Sequence, residues 1–259
     1  MAGSLDGKAA IVTGSSRGIG KAIALQLAAD GANVVVCGRS EQATDDLPGS
    51  IGETVEAIRA GGGTAVALKV DVTVDADLRM LVEETLTKFA RIDILVNNAG
   101  LLGGGGPFLG GDPALLDAFY RTNLRAPYVL AQLAGGKMAE QGGGVIFNIS
   151  SGLARMPGPN GQGGRRGGPG VVYGTSKAAL DRFAAGVAAE LREKNIAIIN
   201  IYPGFTLTER LERLMKDADT SRMERPETTA KAVAFLSRDP MPHSGRIIVA
   251  RELADEHDL

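Results

Sequence analysis

Two patterns of apolar residues alternate along the chain. Short uninterrupted apolar runs, such as NVVVC at 33–37, are typical of strands buried on both faces of a parallel sheet. Longer segments repeat apolar residues at helical spacing, as Ile19, Ile23 and Leu27 do, and this periodicity predicts helices. The short runs predict strands at 8–13, 33–37, 64–70, 92–98, 144–150, 196–202 and 245–250.

Helix start signals stand between several of the predicted strands. Ser50 with Glu53 forms a capping-box pattern, Asp75 is placed to cap the next helix, and Asp112 with Pro113 marks another start. The predicted helices cover 21–30, 50–59, 75–89, 112–133, 171–194, 207–217 and 226–237. This order predicts an α/β fold in which all 259 residues form one Rossmann-like domain. Its doubly wound parallel sheet has about seven strands, with helices on both faces.

Composition narrows the functional classes. A formal net charge of −2 argues against a nucleic-acid or anionic membrane surface. No apolar run approaches the roughly 20 residues of a membrane span, and the N-terminal residues lack the pattern of a signal peptide. The single cysteine, Cys37, rules out an intramolecular disulfide and fits a reducing compartment. We therefore expect a cytoplasmic protein without nucleic-acid or membrane partners, and without a metal, since no cluster of metal ligands is evident.

Glycine accounts for 36 of the 259 residues, about twice the usual share, and it is concentrated in a few segments. Two of these segments, 101–111 and 155–170, are loops by composition. The second is either a surface loop or a lid over a site, and the sequence leaves both possibilities open. Residues 251–259 are expected to form a charged C-terminal tail.

The segment TGSSRGIG at 13–20 lies between the first predicted strand and the first predicted helix. Glycines there let the backbone approach a pyrophosphate, and the N-terminus of the following helix supplies N–H donors and a positive end. The same segment could also be a tight turn that binds no ligand.

A tyrosine and a lysine, Tyr173 and Lys177, stand one helical turn apart in a predicted helix. A cation at this distance favours the phenolate, so we expect Lys177 to lower the pKa of Tyr173 from about 10 towards the range useful for proton transfer. A Y-x-x-x-K spacing alone also arises by chance.

The glycine spacing, G-x-x-x-G-x-G, resembles that of the short-chain dehydrogenase/reductase family. Further motifs of this family follow in its order along residues 8–250. They are an aspartate after the third strand, N-N-A-G after the fourth, an asparagine in the next helix, a serine pair, the Y-x-x-x-K pair and P-G-x-x-x-T. In this sequence they are Asp71, Asn97 to Gly100, Asn123, Ser150 and Ser151, Tyr173 and Lys177, and Pro203, Gly204 and Thr208.

The resemblance implies an oxidoreductase with a catalytic set of Asn123, Ser151, Tyr173 and Lys177. Tyr173 is expected to be the general acid in ketone reduction and the base in alcohol oxidation, while Lys177 also holds the nicotinamide ribose. A serine hydroxyl would hydrogen-bond the substrate oxygen. The family resemblance at the strand end favours Ser151, the second of the pair, and in an extended strand Ser150 would point to the opposite face. Asn123 is expected to hold a water that connects Lys177 to solvent.

The resemblance also indicates the residues around the cofactor. They are Gly14, Ser16, Arg17, Gly18, Ile19, Gly20, Arg39, Ser40, Asp71, Val72, Asn98, Ala99, Gly100, Tyr173, Lys177, Pro203, Gly204, Thr206 and Thr208.

Cofactor choice depends on the end of the second strand, where NAD-specific dinucleotide binders usually carry an acid. No carboxylate lies at 37–40; Arg39 and Ser40 stand there, and Arg17 adds a second cation. Because a pair of arginines can bind a 2′-phosphate, we expect NADP(H). The alternative is that Arg39 is merely solvated.

The expected substrate is a small carbonyl or alcohol compound. Its pocket should be lined by 101–108, 152–160 and 205–220, whose apolar and glycine-rich composition favours an apolar or aromatic ketone. An anionic substrate is the alternative, because the long loop carries three arginines. They are Arg155, Arg165 and Arg166.

Two other readings remain. One is an NADPH-binding regulatory or sensor protein without turnover, and the other is a non-redox relative such as an epimerase or dehalogenase. The resemblance further implies a homo-oligomer, a tetramer or a dimer, although the C-terminus lacks the apolar, glycine-containing tail that is usual in the family.

Overall fold

The computed structural model describes residues 4–44, 48–103, 108–158, 170–214 and 219–259. Its strands are β1 (Ala9–Thr13), β2 (Asn33–Gly38), β3 (Thr64–Lys69), β4 (Ile94–Asn97), β5 (Gly144–Ile149), β6 (Ile196–Tyr202) and β7 (Ile247–Val249). Its α-helices are α1 (Gly18–Ala29), α2 (Ile51–Ala60), α3 (Asp75–Phe89), α4 (Pro113–Tyr120), α5 (Ala126–Glu140), α6 (Gly170–Arg192), α7 (Glu209–Leu214), α8 (Pro226–Leu236) and α9 (Ala250–His257).

The strands form one parallel sheet in the order β3-β2-β1-β4-β5-β6-β7. The chain winds outwards from β1 to β3, returns to the other side of β1 as β4, and then winds outwards again. The point where the order reverses lies between β1 and β4, and ligands of such sheets bind beyond the strand ends there. The predicted single-domain, doubly wound fold is confirmed.

The sheet is buried on both faces because successive strand residues face opposite sides. Val12 and Val34 lie on one face, packed against α1, α2, α8 and α9. Ile11 and Val35 lie on the other face, packed against α3, α5 and α6. This explains why the strands read as uninterrupted apolar runs in the sequence.

The helix starts agree with the sequence in two of three places. Ser50 caps α2 by accepting a hydrogen bond from the Glu53 N–H, and Asp112 caps α4 by accepting one from Ala114. The prediction for Asp75 is wrong: the cap residue of α3 is Val74, and Asp75 is its first helical residue. The Asp75 carboxylate forms an ion pair with Arg125, which accounts for its place at the helix surface.

The predicted helix at 112–133 is interrupted. A π-helical turn at Arg121–Arg125 separates α4 from α5, and Asn123 lies inside it. A π turn widens the backbone by one residue and is found mainly where a side chain has a particular task. Apolar periodicity does not reveal it, because the flanking helical segments keep nearly the same buried face.

The structure bears on two further predictions, the charged C-terminal tail and the loop at 155–170. The expected charged tail at 251–259 is mostly the helix α9, whose buried Leu253 and Ala254 pack on the core while its charged residues face outwards. Of the loop at 155–170, only 155–158 and Gly170 lie within the described residues, and Gly170 already begins α6.

Within the described part of the chain, no helix has the length and apolar character that crossing a membrane requires. The same residues include no group of three or more His, Cys, Asp or Glu side chains placed to hold a metal ion.

Candidate active site

The predicted site residues lie where β1, β4, β5 and β6 end. The glycine turn follows β1, the N-N-A-G segment begins in β4, the serine pair follows β5 and Pro203 follows β6. Since the strands are parallel, these four segments meet at the same edge of the sheet.

The glycine turn fits closely against the segment after β4. Gly14 has a φ of +65°, and a Cβ built on it would lie 2.9 Å from the Cα of Ala99. A Cβ on Gly20 would lie 2.4 Å from both the Gly14 carbonyl oxygen and the Asn98 side-chain nitrogen. Both positions therefore require glycine, which lets the turn pack against the segment after β4.

Asn98 fixes the shape of this turn. Its side-chain amide donates hydrogen bonds of 2.8 Å to the Thr13 carbonyl and 3.1 Å to the Gly14 carbonyl. In return the Thr13 hydroxyl accepts hydrogen bonds of 3.0 Å from the N–H groups of Asn98 and Ala99. The N-N-A-G segment thus braces the start of the cofactor turn.

One backbone donor of the turn already has an anionic partner. The Gly18 N–H donates a hydrogen bond of 2.8 Å to the Glu209 carboxylate, and Thr208 lies beside Gly18. Ser16 is buried in the turn and Ile19 packs on the core. The sequence analysis missed Glu209, although an acid directly after the threonine of P-G-x-x-x-T was visible.

The end of β2 presents one exposed cation. Arg39 lies 3.9 Å from the Asp71 carboxylate, and its side chain is 72% exposed. Burial opposes ionisation of Asp71, but hydrogen bonds from the N–H and hydroxyl of Thr73, with the charge of Arg39, lower its pKa. Ser40 accepts a hydrogen bond from Ile51 through its carbonyl, and Val72 packs against the core.

Arg17 is directed elsewhere. Its guanidinium donates hydrogen bonds of 2.8 and 2.6 Å to the carbonyl oxygens of Pro48 and Gly49. Burial lowers its pKa, against the raising effect of Glu209 and Glu53. The expected arginine pair is thus divided between two tasks, and Arg39 is the more accessible member.

Asn123 joins the end of β4 to α6. Its side-chain oxygen accepts a hydrogen bond of 2.8 Å from the Leu101 N–H, and its amide donates to the Leu101 carbonyl and the Ser176 hydroxyl. A Cβ on Gly100 would lie 3.2 Å from that oxygen and 3.6 Å from the Lys177 nitrogen. Gly100, Asn123 and Lys177 are therefore neighbours.

Lys177 is almost fully buried beside this group. Its ammonium donates a hydrogen bond of 2.7 Å to the Ile149 carbonyl, at the end of β5. Burial lowers its pKa to about 8, although the charge of Asp181, one turn further along α6, acts in the opposite direction. A group with this pKa changes charge close to neutral pH, as catalytic groups often do.

Tyr173 lies next to Lys177, with the lysine nitrogen 5.9 Å from its ring centre and Phe119 packed edge-on against the ring. Burial raises its pKa above 10, and a hydrogen bond with Ser151 opposes that rise. The expectation that Lys177 lowers this pKa is wrong for this arrangement. The lysine charge is directed to the Ile149 carbonyl, and burial of the phenol dominates.

The serine pair divides as the alternation of a strand requires. Ser151 is partly exposed, interacts with Tyr173 and accepts a hydrogen bond of 3.2 Å from the Leu153 N–H. Ser150 is buried, and its hydroxyl has no hydrogen-bond partner among the described residues. A Cβ on Gly174 would lie 2.9 Å from the Leu153 carbonyl, so a glycine there lets α6 approach the serine turn.

A chain of buried polar side chains crosses the sheet beneath the site. The Asn97 amide donates to Asn148, and the Asn148 amide donates to Asn200, both at 2.9 Å. Asn200 donates to Asp181 at 2.7 Å, and the Tyr202 hydroxyl donates to the second oxygen of Asp181 at 2.5 Å. This chain connects β4, β5 and β6 to α6, four residues after Lys177, and the sequence analysis missed it.

The segment after β6 turns back sharply. Gly204 has a φ of +77°, and a Cβ there would lie 2.9 Å from the Glu224 side chain. Buried Thr206 donates a hydrogen bond of 3.1 Å to the Pro203 carbonyl. This turn brings Thr208 next to the glycine turn.

Apolar side chains are exposed on the segments expected to line a substrate pocket. They are Leu102, Phe108, Leu153, Met156 and Phe205. Leu207, also expected there, is buried. Arg155 lies over the Tyr202 ring, 5.4 Å from its centre.

The profile of the short chain dehydrogenase family matches residues 8–219. The 7alpha-hydroxysteroid dehydrogenase of Escherichia coli (strain K12) is 35% identical over 242 residues, which are 90% of this chain and 88% of the relative. The 3-oxoacyl-[acyl-carrier-protein] reductase of a Synechocystis strain is 34% identical over 249 residues, 91% of each chain.

Solved structures agree in fold. The crystal structure of hydroxysteroid dehydrogenase from Escherichia coli has a TM-score of 0.79 and 35% identity, covering 95% of both chains. A 7 alpha-hydroxysteroid dehydrogenase complexed with NADH and 7-oxo glycochenodeoxycholic acid has a TM-score of 0.80 and 34% identity, covering 95% of this chain and 93% of that one.

Proposed function

The chain belongs to the short-chain dehydrogenase family, whose members are oxidoreductases of hydroxyl and carbonyl groups, and we propose that it is an NADP(H)-dependent carbonyl reductase or alcohol dehydrogenase. The observation that carries this proposal is the meeting of Asn123, Ser151, Tyr173 and Lys177 at the strand edge beside the glycine turn.

The residues fit a dinucleotide. Gly14 and Gly20 let the turn pack closely on the segment after β4, and the Gly18 N–H already binds a carboxylate, so the turn accepts an anion. We assign the pyrophosphate to Gly14, Ser16, Gly18, Ile19 and Gly20. The adenosine end is assigned to Arg17, Arg39, Ser40, Asp71 and Val72, and the nicotinamide end to Asn98, Ala99, Gly100, Pro203, Gly204, Thr206 and Thr208, together with Tyr173 and Lys177.

The bound nicotinamide supplies or accepts the hydride. In reduction, Tyr173 donates its phenolic proton to the substrate oxygen, and Ser151 donates a hydrogen bond to the same oxygen as negative charge develops there. Tyr173 is protonated at neutral pH, since burial raises its pKa further above the ordinary value, and the phenol therefore has a proton to donate. Lys177, cationic below a pH of about 8, stabilises the phenolate that remains.

Asn123 has a positioning role in this scheme. Its hydrogen bonds to Leu101 and Ser176 fix α6 against the end of β4. An amide oxygen has two acceptor sites, and the Leu101 N–H uses one. The other is available for the water that we propose as the link between Lys177 and solvent.

The choice of NADP(H) depends on Arg39, the exposed cation at the end of β2. NAD(H) is the second candidate, because a relative that is 34% identical was solved with NADH. Asp71, which is ion-paired with Arg39, is a carboxylate in the same place, so the balance between the two charges decides the preference.

The proposed substrate is an apolar ketone or secondary alcohol. The exposed leucine, phenylalanine and methionine side chains at the site suit an apolar ring system. The hydroxysteroid dehydrogenase relatives make oxo-steroids the first compounds to test. Arg155 is a partner for a substrate that also carries a carboxylate or sulfonate.

We also propose a homo-oligomer. An open cavity of about 840 Å³ lies on the outer face of α5 and α6, where Tyr128, Phe183 and Val187 line it. A second copy of the chain would cover this apolar surface. Light scattering on the purified protein tests this, and a monomer at micromolar concentration contradicts it.

The test of the function is NADPH oxidation at 340 nm with oxo-steroids, aromatic ketones, aliphatic ketones and aldehydes, with NADH run in parallel. Turnover with NADPH preferred supports the whole proposal, and turnover with NADH preferred supports the reaction class alone. Tight NADPH binding without turnover on any compound favours a regulatory nucleotide-binding protein instead.

A further inference from the structure

A carboxylate of the chain itself occupies the anion-binding end of the glycine turn. Glu209 accepts a hydrogen bond of 2.8 Å from the Gly18 N–H, across 191 residues of sequence. Gly18 is the first residue of α1, whose free N–H groups and helix dipole attract negative charge.

Two observations fix this contact in place. The methyl group of Thr208, the residue before Glu209, would lie 3.1 Å from a Cβ on Gly18, so the whole segment packs on the turn. Burial lowers the pKa of Arg17, the residue before Gly18, and the charge of Glu209 opposes that fall, so the carboxylate and this cation interact electrostatically.

A dinucleotide would bring its own negative charge to the same donors. A pyrophosphate held by the glycine turn requires backbone N–H groups at the start of α1. Two anions cannot share one N–H without strong repulsion. The carboxylate must therefore leave the Gly18 N–H before a phosphate oxygen can replace it.

We propose that Glu209 is an internal competitor of the cofactor pyrophosphate and sets the affinity of the enzyme for its dinucleotide. The inference rests on the proposed function, because it assigns the glycine turn to a dinucleotide. Glu209 is the first residue of α7, so its release also frees the start of that helix, four residues after the exposed Phe205 at the substrate side.

The expected change in cofactor affinity follows from the fraction of molecules in which Glu209 is hydrogen-bonded to the Gly18 N–H. If the carboxylate holds the Gly18 N–H in about nine of ten molecules, the apparent dissociation constant of the cofactor rises about tenfold. A hydrogen bond between a charged group and an N–H donor at a helix start is strong enough to give that population.

The experiment compares Glu209→Gln and Glu209→Ala with the wild type by isothermal titration calorimetry. Glu212→Gln is the matched control, because Glu212 is an exposed acid on the same short helix. The two ligands are NADP⁺ and adenosine 2′-monophosphate, which has the adenosine end of the cofactor but no pyrophosphate. If the wild type prefers NAD⁺, the pair is NAD⁺ and adenosine.

Both Glu209 variants are expected to bind the dinucleotide about tenfold more tightly and the pyrophosphate-free ligand with unchanged affinity. Glu212→Gln should match the wild type with both ligands. Glu209→Asp, which keeps the charge on a shorter side chain, covers the case in which the first two variants fold poorly; a weakened contact should again tighten dinucleotide binding.

If the folded variants bind the dinucleotide with the same affinity as the wild type, or more weakly, the competitor role is overturned. Glu209 would then only anchor the start of α7 to the glycine turn. Tighter binding of both ligands would also overturn it, since the effect would then not concern the pyrophosphate. A wild type that binds neither NADP⁺ nor NAD⁺ overturns the proposed function and this inference together. If the wild type binds the dinucleotide and turns over, and the Glu209 variants bind it with unchanged affinity, only the role of Glu209 is contradicted.

Discussion

The ammonium group of Lys177 donates a hydrogen bond of 2.7 Å to the carbonyl oxygen of Ile149, the last residue of β5. This contact joins the helix that carries Tyr173 to the strand that leads to Ser151. The same lysine nitrogen lies 5.9 Å from the centre of the Tyr173 ring, and burial raises the pKa of that phenol. The proton-transfer groups are thus held in position before any ligand is bound.

Replacing Tyr173 with phenylalanine should remove the proton donor and leave the cofactor site intact. We expect kcat to fall at least about 100-fold, the usual contribution of a general acid, while the dinucleotide Kd changes by less than about twofold. Turnover is measured at 340 nm and binding by calorimetry. Tyr128→Phe removes a hydroxyl from a tyrosine outside the proposed catalytic set and serves as the control; a fully active Tyr173→Phe enzyme would contradict the mechanism.

The lowered pKa of Lys177 predicts a pH dependence of activity. Because this pKa is about 8, the fraction of cationic lysine falls as the pH rises through that value. We expect kcat/KM for ketone reduction, which reports the free enzyme, to decline above a pH of about 8. A flat profile between pH 7 and 9.5 would show that the charge on Lys177 is not required.

The same group predicts a pH dependence of stability. Between the folded pKa of about 8 and the ordinary value of 10.5, the unfolded chain binds the additional proton. The contribution of Lys177 to the free energy of unfolding should therefore rise with pH across this window. In thermal melts, the Tm of the wild type should rise relative to that of Lys177→Met between pH 8 and pH 10. Lys88→Met, at an exposed lysine, is the control for the loss of one positive charge.

Arg39 should decide between the two nicotinamide cofactors. Losing a charge-assisted contact with a 2′-phosphate costs about 10- to 100-fold in affinity, so Arg39→Ala should weaken NADPH by that factor. NADH has no 2′-phosphate and should bind as before. Lys88→Ala removes another exposed cation, at the far end of α3, and should alter neither. If Arg39→Ala weakens the binding of NADPH and NADH equally, Arg39 supports the structure of the segment after β2 and does not discriminate between the two cofactors.

The serine pair offers a matched comparison. Ser151→Ala removes the hydroxyl that interacts with Tyr173 and should lower kcat about 100-fold, as loss of one donor to a developing oxyanion does. Ser150→Ala removes a buried hydroxyl without a described partner, so it should leave activity nearly unchanged and stability equal or slightly higher. If Ser150→Ala lowers kcat and Ser151→Ala does not, Ser150 is the serine that contacts the substrate oxygen.

The order of the elements and most of the site follow from the sequence for a physical reason. A parallel sheet buried on both faces needs uninterrupted apolar strands, and its turns need glycine. Both requirements appear as short stretches of sequence, so they can be recognised without knowledge of distant contacts. The role of Asn123 was predicted from a motif, but its π turn was not. An added backbone residue leaves the buried face of the helix almost unchanged, so the apolar pattern does not show it.

The parts that the sequence did not reveal depend on contacts between distant residues. Glu209 and Gly18 are 191 positions apart, and the hydrogen bonds from Asn97 to Asp181 cross three strands. In the sequence, none of these residues shows which distant partner it contacts. The lowered pKa expected for Tyr173 was wrong for a related reason, because the spacing of a tyrosine and a lysine does not show where the lysine nitrogen binds.

The brace between Asn98 and the Thr13–Gly14 backbone has a consequence for synthesis of the chain. The turn leaves the ribosome first, and its brace follows 84 residues after Gly14, a delay of roughly 4–17 s at ordinary elongation rates. During that interval β1 lacks its β4 neighbour, and the turn lacks the amide that shapes it. The turn can therefore be held in its final shape only after β4 has emerged, and a chain cut between β3 and β4 would leave the turn in one fragment and its brace in the other.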